Sequence, residues 1–220
     1  MTFTDRLLPL IGGLAIDALF GDMPGVFRQI PHPVVLAGRA IALFDRKLNR
    51  ESRSEAARRD RGIVTIVLLV SAAAGFGLAI EWLCRGYPLG ALVEAALIGV
   101  LLAQRSLYEH VAAVGVALDV GGLPAGRAAV SRIVGRDPMS LDAHGVARAA
   151  IESLAENFSD GVVAPAFWLA LGGLAGGAAY KAINTADSMI GHRTERHAAF
   201  GWAAARLDDL ANLPASRLSA

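Results

Sequence analysis

Residues 63–80 run for eighteen positions without a charge. A segment of that length and apolarity crosses a bilayer as a helix, because each backbone N–H and C=O must be satisfied within it. Three further segments share this character. Residues 7–20 are short for a span and contain Asp17; residues 87–103 are apolar apart from Glu94. Residues 161–180 carry no charge but hold Pro165, Gly172, Gly173, Gly176 and Gly177. So much Gly and Pro suits a kinked or re-entrant helix pair packed inside protein. No alternating pattern is sustained long enough for a strand, and no internal repeat is visible. The expected fold is all-α: a polytopic membrane helical bundle with cytoplasmic helical loops and a Gly-rich broken or re-entrant segment.

Composition agrees with this. Hydrophobic residues make up 54% and charged residues 19%, with mean hydropathy +0.46. The net charge of +1 gives no case for nucleic acid, and the single Cys84 excludes an internal disulfide or a Cys-based zinc site. The N-terminus is not a persuasive cleaved signal. Asp5 accompanies Arg6, Asp17 interrupts the apolar run, and no small-x-small site follows. It is expected to be retained as a first membrane segment.

Arg46, Lys47, Arg50, Arg53, Arg58, Arg59 and Arg61 crowd one connection, whereas the 81–86 loop has one Arg. The positive-inside rule then places the Arg-rich connection in the cytoplasm. If the next two segments both span, residues 104–160 are cytoplasmic too. A 161–180 segment that turns back would return the polar residues on both its flanks to that side. Gly121-Gly122-Leu123-Pro124 reads as a turn, as does residues 135–138; Ser140 or Asp142 reads as the N-cap of a helix to about Phe158.

The polar block at 147–212 sits oddly in so apolar a chain, since polar groups beside an apolar phase must satisfy one another or bind something. Glu152, Glu156 and Asp160 recur at i, i+4 and i+8, which sets three carboxylates along one helical face. Their mutual repulsion calls for a cation such as Arg148 or Mg²⁺; a solvated acidic face is the competing reading. Lys181, Asn184, Asp187 and Ser188 share a face with Thr185 at its margin. That set can take a phosphate through Lys, Thr and Ser, and a metal through Asp, or can serve as helix caps. Arg193 and Arg196 are phosphate clamps or surface charge. Arg206, Asp208, Asp209 and Asn212 form an ion-pair network or a metal site. A lone His110 beside Glu109 and Gln104 more often serves structure, as does the polar turn around Asp17, Asp22 and His32. There is no G-x-x-x-x-G-K-[ST], G-x-G-x-x-G or H-E-x-x-H run.

Six ordered runs give the chain a resemblance. They are Asp17-x-x-x-Gly21-Asp22; Pro31-His-Pro-Val34 with Gly38; residues 130–137 (V-S-R-I-V-G-R-D); residues 148–165; residues 180–191; and residues 200–209 (F-G-W-A-A-A-R-L-D-D). Together they resemble the CobD/CbiB family of cobalamin biosynthesis, the adenosylcobinamide-phosphate synthases. The resemblance implies a multi-pass enzyme of the cytoplasmic membrane with its site facing the cytoplasm. It would join the propionate carboxylate of adenosylcobyric acid to the amine of (R)-1-aminopropan-2-ol or its O-phosphate. ATP and Mg²⁺ are the implied companions, with other corrinoid-pathway membrane enzymes as further partners. Glu152, Glu156, Asn157, Asp160 and Asp187 become candidate catalytic residues. Arg136, Lys181, Asn184, Thr185, Ser188, Arg193 and Arg206 become candidates for substrate or phosphate. Glu152, Glu156, Asp160, Asp187, Asp208 and Asp209 become candidate metal ligands. Family members continue through further hydrophobic segments, so residues 1–220 are expected to be a single membrane-embedded domain short of them. Two competing classes are a transport component with a polar intramembrane path and a Mg²⁺-dependent membrane transferase acting on a lipid phosphate. The first lacks an inverted repeat, and the second lacks a third acid suitably spaced from Asp208-Asp209.

Overall fold

The structure, a computed structural model, describes residues 3–21, 24–29, 31–135 and 137–219. Asp22 and Arg136 lie outside the described residues. The ordered elements are helical: α1 (Phe3–Phe20), α2 (Pro24–Phe27), α3 (Pro33–Leu48), α4 (Glu55–Cys84), α5 (Gly90–Leu101), α6 (Gln104–Val130), α7 (Ala143–Phe158), α8 (Ala164–Ala186) and α9 (Trp202–Leu218). No strand occurs among the described residues. Among the described residues, three stretches are long and apolar enough to cross a membrane: Glu55–Cys84, Gly90–Val130 and Ala143–Gly191.

Helix starts follow local chemistry. Ser54 caps α4 by accepting from the Ala57 N–H at 3.3 Å, and Asp142 caps α7 by accepting from the Gly145 N–H at 2.6 Å. Helix α6 has no cap of its own. Asp17 of α1, 1% exposed, reaches over to accept the Gln104 N–H at 2.8 Å. The helices α1 and α5 run parallel and close, with Gly13 against Ile98 and Gly99 against Ile16. At 12 residues, α5 is about 18 Å long. It ends at Leu102, whose extended backbone breaks the continuous 87–103 span expected from hydropathy alone.

Two of the longer helices are folded back on themselves. Within α6, Gly122 adopts φ 66°, ψ −164°, and Gly126 packs against Leu118, eight residues earlier. Within α8, Gly173 adopts φ 62°, ψ −152°, so Gly176 lies against Trp168 and Gly177 against Leu169. Residues eight apart in a straight helix would be about 12 Å distant. The 161–180 segment is therefore a hairpin whose ends meet, with the Tyr180 hydroxyl 2.9 Å from the Asp160 carbonyl.

The second arm of this hairpin lies antiparallel to α4. Gly77 meets Ala175 at one end, and Ile66 and Leu69 share a core with Ala186, Ile190 and Phe200 at the other. The hairpin tip thus sits beside the end of α4, and both its feet sit toward the Arg-rich start of α4. There, Arg58, 9% exposed, donates to Asn49 Oδ1 at 2.7 Å and to the Arg196 carbonyl. Asn49 and Arg196 both donate to Asp45, at 2.7 and 2.8 Å. Burial pushes the Asp45 carboxyl up, but these hydrogen bonds and the charges of Arg196 and His197 outweigh it and hold its pKa below the usual value. This network ties the 192–201 loop to α3 and α4. A satellite core of Val114, Val130, Val146, Ala149 and Ala150 fixes the α6 hairpin against α7.

Candidate active site between α6, α7 and α8

Both feet of the α8 hairpin widen into π-helical turns, Ser159–Val163 and Asp187–Gly191. Such insertions are frequent at functional sites, because an extra residue in the turn redirects side chains out of the regular ladder. Here Asp160 and Asp187 occupy those turns. Both line a cavity of about 640 Å³ together with Glu156, Asn157, Lys181, Asn184 and Ser188. The opposite wall comes from α6 and the turn after it, through Ser106, His110 and Arg132, with His192 at the rim. A second, more apolar cavity of about 810 Å³ adjoins the first through shared Ala103, Lys181, Asn184 and Ser188. Its walls are Phe27, Val34, Val35, Val100, Leu102 and Met189, with Arg28, His32 and Thr185. His32 caps α3 by accepting the Val34 N–H at 3.2 Å. The two lobes form one cleft, and each lobe is within the size range of small-molecule sites.

The asparagines of the polar lobe have a defined orientation. Asn157 Nδ2 donates to the Ser153 carbonyl at 2.8 Å and to Ser153 Oγ at 3.1 Å. Asn184 Nδ2 donates to Asp208 Oδ1 at 3.4 Å. Neither Ser153 nor Asp208 lines the cavity. The NH₂ group of each asparagine is thus held by an acceptor that does not line the cavity. Glu156, Asp160 and Asp187 make one wall rich in carboxylate oxygen, while Arg132, Lys181 and the two histidines supply positive or protonatable groups.

Asp208 anchors this wall from behind. It is 9% exposed and also accepts from Asn212 Nδ2 at 2.9 Å. Asn212 Oδ1 in turn lies 2.8 Å from the Tyr180 hydroxyl. Burial, reinforced by the nearby charges of Asp187 and Asp160 and opposed by the amide donors, raises the Asp208 pKa to about 6.

Several candidates lie apart from the cleft. Glu152 lines a separate small cavity with Arg148, Gly145 and Leu141. Eight residues of α-helix drift by roughly 80°, which turns Glu152 away from the direction of Asp160. Arg206 and Asp209 are exposed partners at 3.8 Å, one turn apart on α9, the local ion pair weighed from their spacing. Arg193 is exposed and lines none of these cavities. Among the described residues, no three His, Cys, Asp or Glu side chains are grouped to hold a metal ion. The six acids proposed as ligands therefore do not form one coordination sphere. In the other direction, His110, Arg132 and His192 enter the cleft although none is among the site residues expected from the sequence, where His110 reads as structural. Arg132 lies in the 130–137 run, which was the available signal; the position of His110 depends on how α6 folds back.

The fold and cleft define an all-helical protein with bilayer-length apolar segments and a polar site at the feet of a broken helix. A family model described as CobD/Cbib protein matches residues 10–220, and the chain belongs to this family. It is 58% identical to "Cobalamin biosynthesis protein CobD" of Sinorhizobium sp, over 97% of this chain and 66% of that protein. It is 52% identical to the protein of the same name from Rhizobium meliloti (strain 1021), over 97% and 66%. For the Rhodobacter capsulatus protein of that name the identity is 48%, over 100% and 68%. The chain thus spans just under two thirds of the length of the first two relatives. No solved structure matches it.

Proposed function

We propose that this chain carries the polar centre of a cobalamin-biosynthesis enzyme that forms an amide between adenosylcobyric acid and (R)-1-aminopropan-2-ol or its O-phosphate, driven by ATP cleavage. The observation that carries this reading is the two-walled cleft of a CobD/Cbib family member, with oxygen acceptors opposite cationic groups.

Amide formation from a carboxylate and an amine requires that a carboxylate oxygen first become a leaving group. The substrate carboxylate attacks the γ-phosphorus of ATP and ADP departs; the amine then adds to the acyl carbon and expels phosphate. Arg132, on the wall facing the acids, and Lys181, beside them on α8, would meet phosphate charge in the cleft. Glu156 is the carboxylate assigned to take the proton that the attacking ammonium must lose. The donor chemistry of the oxygen-rich wall fits Mg²⁺, which is commonly held by one or two carboxylates plus substrate phosphates rather than by a full protein cage. Asp160 and Asp187 would hold it together with substrate phosphate, and it would neutralise phosphate charge. The apolar lobe suits the less polar part of a large substrate, with Lys181, Asn184 and Ser188 at the junction.

We read the chain as a multi-pass protein of the cytoplasmic membrane with the cleft on the cytoplasmic side. Support comes from the long apolar helices, from the lipid-compatible exposed face of Val64, Val67, Leu68, Phe76 and Leu78 on α4, and from the Arg-rich start of that helix.

The test is incubation of the purified protein with adenosylcobyric acid, either amine and Mg–ATP, with detection of the amide product by mass. Glu156→Ala and Asp187→Ala are each expected to lower turnover by about 100-fold or more. Full turnover in both variants would refute the assignment.

A further inference from the structure

Asp208 lines neither lobe of the cleft, yet it holds the Asn184 amide from behind. We infer that Asp208 is a positioning residue that fixes which end of the Asn184 amide faces the cleft, making that wall a receptor for a hard cation, either Mg²⁺ or the ammonium group of the amine. The inference rests on the proposed reaction for the identity of the ligand. Its geometry rests on hydrogen bonds alone.

An ionised carboxylate only accepts, so Asp208 can take one NH₂ on each oxygen, from Asn184 at 3.4 Å and from Asn212 at 2.9 Å. Asn212 is fixed at its other end, where its Oδ1 meets the Tyr180 hydroxyl at 2.8 Å. The same logic operates independently at Asn157, whose NH₂ is held by Ser153 while Ser153 Oγ is itself committed to the Ile133 carbonyl at 2.7 Å. Two asparagines on two helices thus present oxygen beside Glu156, Asp160 and Asp187. An NH₂ group in either place would oppose a cation.

Replacing Asp208 by an amide (Asp208→Asn) leaves one acceptor for two donors. Asn212 is held by Tyr180, so Asn184 is the partner released. Rotation of the Asn184 amide then satisfies the NH₂ introduced at position 208 and turns an N–H donor into the cleft. Exchanging the two residues, Asn184→Asp with Asp208→Asn, restores every partner. One oxygen of the carboxylate now at position 184 accepts from the amide at position 208, and its other oxygen faces the cleft. The carbonyl oxygen of that amide accepts from Asn212. Net charge is unchanged.

The experiment titrates the 220-residue chain in lipid nanodiscs by calorimetry, with MgCl₂ alone in one arm and 1-aminopropan-2-ol alone in the other. Wild type is expected to bind in at least one arm, and that arm identifies the cation. D208N should weaken that binding about tenfold, the effect of losing one hydrogen-bonding acceptor and gaining an opposing donor. The exchange N184D/D208N should bind at least as tightly as wild type. The cycle completed by N184D alone should show coupling between the two positions, which independent effects of charge at 184 and loss of charge at 208 would not give. Melting curves accompany each variant. Unchanged binding in D208N overturns the inference. So does a well-folded double variant that fails to rescue, a cycle that shows no coupling, or a wild type silent in both arms. A wild type that binds cation and obeys the exchange but forms no amide would refute the ligation reading and leave this inference standing.

Discussion

Asp208 shows how one buried carboxyl can link stability to pH. Its folded pKa of about 6 stands above the ordinary value of 3.8, mainly because burial penalises the charged form and Asp187 adds like charge. A raised folded pKa means that the native state holds the proton more tightly than the unfolded chain does. The corresponding stability is fully present below about pH 4 and is lost as pH rises through about 6. A shift of about two units corresponds to on the order of 3 kcal/mol. An asparagine at this position cannot ionise, so the wild-type melting temperature minus that of D208N should fall between about pH 4.5 and about pH 8. Thermal melts of both proteins at the two pH values check this, and a difference that stays constant would contradict it. Nothing in the spacing Arg206-x-Asp208-Asp209 distinguishes the two acids. Burial decides it: Asp208 faces the Tyr180–Asn212 network, whereas Asp209 meets solvent and Arg206.

At the scale of elements, the α8 hairpin does the most to build the site, and its glycines made a break legible from the residues alone. The turn at Gly122 and the Asp142 cap were equally legible, because φ > 0 and an N-cap carboxylate are local requirements. The means of holding the break was not legible, since its partners come from distant helices. Arg6 of α1 donates to the Leu171 carbonyl at the end of the first arm. Glu81 of α4, 2% exposed, accepts the Leu174 N–H at 2.6 Å at the start of the second. A cation thus meets the negative end of one half-helix, and an anion meets the positive end of the other. Adjacent glycines at the tip should respond oppositely to substitution. Gly173 has a backbone conformation almost confined to glycine, and a Cβ there would strike the Glu81 carboxylate. Gly172 has no positive φ, and nothing lies near its Cβ position. Gly173→Ala should therefore destabilise by at least about 1–3 kcal/mol. Gly172→Ala should be neutral or slightly stabilising. Denaturant unfolding in detergent compares the two; similar losses in both would argue against a hairpin turning at Gly173.

For the whole molecule, the site assembles from what folding brings to one end. The carboxylates of 152–160 and the polar set of 181–188 were visible as separate clusters, and helical spacing correctly grouped Lys181, Asn184, Asp187 and Ser188. Their convergence required the hairpin, and the facing His110 and Arg132 required α6 to fold back as well. Spacing failed at Glu152, where a helical face defined over eight residues drifts. The same folding sets up a test of sidedness. The start of α4 and the turn after α6 should share the cytoplasmic side with the cleft. The end of α4, about 45 Å along a 30-residue helix, should lie across the membrane. Cys84 is the sole cysteine and is buried, so Cys84→Ala provides a blank background. Single cysteines at the exposed positions Ser52, Ser131 and Gly86 can then be treated with a membrane-impermeant maleimide. Ser52→Cys and Ser131→Cys should label only in inverted vesicles, and Gly86→Cys only in right-side-out ones. Labelling of Ser52→Cys and Ser131→Cys from opposite faces would separate the Arg-rich connection from the cleft and overturn the cytoplasmic placement of the site.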